Sequence, residues 1–115
     1  MKTFYQFVEA HRLKVWLDDI RPMPEPFDTH VKTAKEAIDL LKTGNVEMIS
    51  LDHDLGEPQN GTGYDVAKWI EEQAFYGTLS RVRYMLHTDN SEGRRFMTLA
   101  LQNAMKYWKQ HEEKS

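Results

Sequence analysis

The segment Met48-Ile49-Ser50-Leu51-Asp52-His53-Asp54-Leu55-Gly56 runs from apolar residues straight into Asp-His-Asp and then a glycine. An apolar strand with that ending delivers titratable side chains to the edge of a sheet. Two further segments end alike, Val15-Trp16-Leu17-Asp18-Asp19 and Val82-Arg83-Tyr84-Met85-Leu86-His87-Thr88-Asp89-Asn90. Together they predict one site, built where three strands stop. His53 and His87 are its sharpest pair. Imidazoles take and give protons near neutral pH, so two of them flanking a phosphodiester could deprotonate water and protonate the leaving oxygen. Asp52 or Asp54 can orient an imidazole by accepting its second ring proton. Spacing leaves open which histidine is acid and which is base.

Asp18, Asp19 and Asp52 form an oxygen-only set, which suits magnesium. The alternative is that arginines or protonation relieve their mutual repulsion. Phosphate in turn needs cations or amides. Arg21 follows the Asp18-Asp19 pair and is held by Pro22. Arg94 lies in the first turn of the last predicted helix, whose free amides and positive dipole end favour anions, and guanidinium can grip phosphate in a bidentate fork. Gly93 leaves room for an anion to approach. Thr88 can bond a phosphate oxygen, and Asn90 stands with it at the same turn. The loop Gly56–Gly63 lacks a P-loop pattern.

These residues need a scaffold. Residues 13–17 and 46–51 read as buried strands, 29–32 as a short strand and 82–86 as a further strand. Pro22, Pro24 and Pro26 forbid a helix between the first two. Thr33-Ala34-Lys35-Glu36 is a capping box opening a helix that Gly44 ends. Thr62 caps a second helix, with Val66, Ala67, Ile70 and Ala74 inward. Asn90 or Ser91 caps a long third one, with Met97, Leu101, Ala104, Met105 and Trp108 inward. Trp16 and Trp69 also fall on apolar faces. Strands alternating with helices predict an α/β three-layer sandwich with a mainly parallel sheet. Ligands of such sheets sit beyond the carboxyl ends of the strands, beside a switch in strand order. All three polar endings lie there.

The chain has 115 residues, enough for a single domain. Its expected parts are an N-terminal arm or helix over 1–12, a core over 13–108 and a frayed tail over 109–115. The net charge of −3 and the lack of long like-charge blocks argue against extended nucleic-acid binding. A nucleotide or an RNA end needs only local cations. With no cysteine, disulfides and thiol chemistry are excluded. No run reads as a signal peptide or membrane span. A soluble, cytoplasmic monomer or weak homodimer is expected, with no membrane partner.

Trp16-Leu17-Asp18-Asp19-Ile20-Arg21-Pro22, then Ser50-Leu51-Asp52-His53-Asp54-Leu55-Gly56 with Gly63-Tyr64-Asp65, then His87-Thr88-x-Asn90-x-x-Gly93-Arg94, resembles the cyclic-phosphate processing receiver-like family over roughly residues 14–105. The resemblance implies a truncated receiver (flavodoxin-like) fold and action on cyclic nucleotides or RNA ends bearing 2′,3′-cyclic phosphate. It places Asp18 and Asp19 at the receiver's acidic pair, Asp52 at its phosphate-accepting aspartate and Thr88 near its strand-end hydroxyl, where this family usually has serine. The chain departs from a receiver in three ways. A proline-rich stretch replaces the first crossover helix, no fifth strand with a phosphate-binding lysine follows, and His53 sits beside the would-be acceptor. Phosphorelay signalling is therefore not expected.

The expectation is a hydrolase of cyclic phosphodiesters. His53 and His87 would be acid and base, Arg21, Thr88, Asn90 and Arg94 would hold substrate, and Asp18, Asp19, Asp52 and Asp54 would orient the histidines or bind magnesium. The alternatives are a non-catalytic nucleotide- or protein-binding module and a magnesium-dependent phosphatase with Asp52 as nucleophile.

Overall fold

The computed structural model describes residues 12–114, so all but the last residue of the expected N-terminal arm lies outside the described residues. The order of elements is β1 (Leu13–Leu17), β2 (Thr29–Val31), α1 (Ala34–Lys42), β3 (Val46–Leu51), a 3-10 turn (Pro58–Asn60), α2 (Gly63–Tyr76), β4 (Arg83–Leu86) and α3 (Ser91–Lys114). The four strands form one parallel sheet in the order β2-β1-β3-β4. That is the flavodoxin-like order up to its fourth strand, with the switch point between β1 and β3. The receiver-like α/β fold is thus present, with β4 at one edge of the sheet among the described residues.

Caps fix where the helices begin. Thr33 accepts the amide of Glu36 at the start of α1. Thr62 and Asp65 form a reciprocal capping box on α2. At α3 the Asn90 carboxamide oxygen accepts the Gly93 amide at 2.8 Å, which leaves the turn after β4 little freedom.

Strand alternation then divides the core. Val15, Leu17, Ile49 and Leu51 meet Ala37 and Leu41 of α1, Val66 and Ile70 of α2, and Met97 and Leu101 of α3 in one buried cluster. Trp16 and Met48 point the other way and pack with Phe27 and Met23 of the proline-rich segment. Among the described residues, then, all three helices cover one face of the sheet, and the outer layer on the opposite face is loop. The prolines account for this: they keep the β1–β2 connection from folding as a crossover helix.

Helix α3 continues to Lys114 where a frayed tail was expected. Arg81 donates from two nitrogens to the Glu112 carboxylate at 3.0 and 2.9 Å, and His111 bonds the Phe75 carbonyl oxygen. These contacts tie the last turns to the body of the domain. Among the described residues no helix is long and apolar enough to cross a membrane.

Candidate active site

The parallel register sets the carboxyl ends of β1, β3 and β4 side by side, Leu17 beside Leu51 and Leu51 beside Leu86. The next residues along each strand, Asp18, Asp52 and His87, therefore converge. Each offers a ligand atom within 4.8 Å of the others.

Asp18 is 1 % exposed and fully used. Its Oδ1 accepts the amides of Ile20 and Arg21, both at 2.8 Å, and its Oδ2 is 3.0 Å from His87 Nε2. Burial pushes its carboxyl up, but those two amides and His87 outweigh burial and hold it below the ordinary carboxylate value. Since a carboxylate only accepts, His87 Nε2 carries the proton, and the other ring nitrogen accepts from the Ser50 hydroxyl at 2.7 Å. The imidazole stacks on Trp16 with centroids 3.7 Å apart and planes within 8°. Burial pushes the His87 pKa down, with Arg21 in the same direction, and Asp18 and Asp52 recover only part of it. His87 is thus an inward-turned neutral imidazole with both nitrogens engaged.

Asp52 behaves oppositely to Asp18. Burial raises its carboxyl pKa and the Asp18 charge adds to this, against hydrogen bonds from Thr88 and the His53 amide. Two adjacent carboxyls pushed apart in this way can take different roles. His53 lies on the helical side of Asp52. Its Nδ1 is 2.8 Å from Asp54 Oδ1. The Asn90 carboxamide nitrogen stands 3.3 and 3.4 Å from the two Asp54 oxygens and 3.3 Å from His53 Nδ1. Bonding to His53, then to Asn90, holds the Asp54 carboxyl below its ordinary value. With Nδ1–H donated to Asp54, Nε2 is left as the nitrogen that can work on a substrate. The space beside Gly93 is not open to an anion, as the glycine suggested. It holds the His53 ring, for a Cβ on Gly93 would stand 2.4 Å from His53 Cγ.

The other expected site residues are near but differently employed. Asp19 is half-buried against the loop after β3, where a Cβ on Gly56 would approach its Oδ2 to 3.1 Å. It is outside the convergent trio, and His87 takes the third place in that donor set. Arg21 donates to the His87 carbonyl oxygen and to Asp89. Arg94 donates to the Thr88 carbonyl oxygen at 3.1 Å. Both arginines thus brace the β4–α3 turn, and each keeps further donors on its fork. Thr88 is buried, and its hydroxyl oxygen accepts the Asn90 amide at 3.1 Å.

Sequence reasoning missed three participants. Ser50 and Trp16 share a register position, Trp16 beside Ser50, and alternation along β1 and β3 turns both to the face on which His87 lies. A lone serine inside an apolar strand was the available signal. His30, which stands at none of the three polar strand endings, bonds the Asp18 carbonyl oxygen at 2.8 Å.

By donor type and spacing, Asp18, Asp52 and His87 fit a divalent cation. The imidazole shifts the preference from magnesium towards manganese or zinc, and binding would require Asp18 and His87 to exchange their mutual hydrogen bond for the metal.

A family model described as the cyclic-phosphate processing receiver domain matches residues 13–103. No curated protein and no solved structure matched the chain.

Proposed function

The chain belongs to the cyclic-phosphate processing receiver domain family, and from that premise we propose that it hydrolyses cyclic phosphodiesters, of nucleotides or of RNA ends, beyond the carboxyl ends of β1, β3 and β4. The observation that carries this reading is the pairing of His53, aimed by Asp54 and Asn90, with a neighbouring Asp52 whose carboxyl pKa is raised. A carboxylate with a raised pKa is a stronger base, so Asp52 takes a proton from water. The water oxygen bonds to phosphorus, the ring P–O bond opposite breaks, and the released oxygen takes the Nε2 proton of His53, which enters the step as the imidazolium; Asp52 then gives its proton up to solvent and His53 takes one back. The products are a phosphomonoester and a free hydroxyl. Arg21 and Arg94 supply the remaining guanidinium donors to phosphate. His87, engaged at both nitrogens, is a positioning residue that fixes Asp18 beside Asp52.

Phosphorus NMR with a panel of cyclic nucleotides and a 2′,3′-cyclic-phosphate dinucleotide, with and without chelator, tests the reading. Expected is loss of the cyclic signal that chelator leaves intact. His53→Gln and Asp52→Asn should each cost about 10²–10⁴-fold in kcat/KM, the usual contribution of a general acid or base. A His53→Gln variant at full rate would sink it.

A second reading has its own support in the close approach of Asp18, Asp52 and His87 ligand atoms. Here those residues hold a divalent cation that stabilises charge on the phosphate, and chelator abolishes turnover. Saturable binding of the same nucleotides with no product over hours would instead identify a binding module.

A further inference from the structure

Helices that return antiparallel to a parallel sheet bring their carboxyl ends beside the amino ends of the strands. The ends of α1 and α2 therefore meet the entries of β1, β3 and β4 at the side of the domain away from Asp18, Asp52 and His87. Six residues of β3 alone, about 20 Å of extended chain, separate the two sides. Between the helix ends and the strand entries lies a cavity of about 330 Å³, within the size range of small-molecule sites. Its apolar wall includes the buried Leu41 and Leu79 and the half-buried indole of Trp69.

The polar lining is one-sided. Arg12, Lys42, Gln73 and Ser80 belong to it and no carboxylate does, in a chain whose net charge is −3. Backbone caps already satisfy the helix ends: the Gly44 amide bonds the Leu41 carbonyl oxygen, and the Gly77 and Thr78 amides bond those of Ala74 and Gln73. The cations are not consumed there. Arg12 gives one nitrogen to the Val46 carbonyl oxygen at 3.0 Å and keeps the rest of its fork. Lys42 forms no ion pair among the described residues, and Asp39 is paired with Lys35 at 2.7 Å. Gln73 accepts the Thr78 hydroxyl on Oε1 at 2.6 Å, which leaves its nitrogen to donate. The indole N–H groups of Trp16 and Trp108 are spent on carbonyl oxygens, whereas the Trp69 N–H and the Ser80 hydroxyl bond nothing among the described residues. The two helix dipoles bring about half a negative charge each to this end, against two full positive charges.

We propose that this cavity is a second ligand site, for a small planar anion: an aromatic ring bearing a phosphate or a carboxylate. The ring lies against Trp69 and the aliphatic wall, and its acceptor atoms face the free donors of Gln73 and Ser80. Its anionic group takes Arg12 and Lys42 as charge-assisted donors. A lining rich in donors and without a carboxylate does not suit a metal ion or a basic peptide. The site does not rest on hydrolysis at the other end of the sheet.

NMR titration of the full chain, followed at the tryptophan indole N–H signals, tests this, with the Trp69 signal assigned by its loss in Trp69→Phe. The probes are adenosine monophosphate and nicotinate; adenosine and inorganic phosphate each lack one half of the ligand. Expected is saturable movement of the Trp69 signal with adenosine monophosphate if the anion read is phosphate, or with nicotinate if it is carboxylate, and little with adenosine or inorganic phosphate at the same concentrations. Lys42→Met removes one charge at an exposed position and should weaken binding by about 10–100-fold, the worth of a hydrogen bond to a charged group. Arg12→Gln should act likewise. Movement confined to Trp16, which stacks on His87, would put the ligand at the strand carboxyl ends instead. That result, a Trp69 signal that neither anion moves, equal movement with adenosine, or undiminished affinity in both variants would each overturn the proposal, and none of them bears on turnover.

Discussion

His87 lies at a strand end, as the sequence suggests, yet its ring turns inward onto Trp16 and spends one nitrogen on Asp18 and the other on Ser50. That arrangement predicts how stability responds to acid. In the unfolded chain an imidazole takes up a proton near its usual value of about 6.5. In the fold, burial holds the His87 pKa lower. Between those two values the unfolded state binds more protons, so stability rises with pH across the window and falls on acidification through it. Asp18, with a depressed folded value, adds a loss of the same sign at still lower pH, and Asp52, with a raised one, opposes both. Denaturant melts between pH 7.5 and 5 should show wild-type stability declining more steeply than that of His87→Gln, whose side chain does not titrate. Nitrogen NMR should find His87 as the Nε2–H tautomer. Equal slopes for the two proteins would remove His87 as the source.

At the scale of elements, the first turn of α3 seats the general acid of the proposed reaction. Gly93 presents no side chain, and a Cβ there would stand 2.4 Å from Cγ and 2.5 Å from Cδ2 of His53. Gly93→Ala should therefore displace the imidazole and, because the clash reaches His53 Cγ and its Cβ at 3.0 Å, cost about 1–3 kcal/mol of stability as overpacking does, offset by about 1 kcal/mol of helix propensity. Turnover should drop to the level of His53→Gln, and full turnover would show that this seat is not needed. Much of the scaffold was legible beforehand because its signals are local. Thr33, Thr62 and Asn90 announce their helices, and apolar runs broken by Asp or His announce the strand ends. What was not legible depends on pairing between distant segments. Nothing near Ser50 indicates that it will lie beside Trp16 and under His87, because the β1–β3 and β3–β4 registers create that neighbourhood. The same holds for Gly93, whose missing side chain reads alone as space for a ligand and in the fold as space for His53.

For the whole molecule, the consequence is that site and stability oppose each other at one end of the sheet. Asp52 is kept beside an ionised, buried Asp18, and its raised pKa means that holding it charged at neutral pH costs folding free energy. Asp52→Asn should accordingly raise the melting temperature even as it removes turnover. A divalent cation accepted by Asp18, Asp52 and His87 would relieve the same repulsion and stabilise the native state by mass action, by about 2.7 kcal/mol when its concentration is a hundredfold above Kd. For a domain of this size that is a shift of about 10 °C. Thermal melts in manganese, magnesium or chelator therefore separate the two enzymatic readings without any assay of turnover. A melting temperature that rises with manganese in the wild type and not in Asp52→Asn assigns the trio to a metal. One that ignores all three additions removes the metal reading and leaves proton transfer by Asp52 and His53.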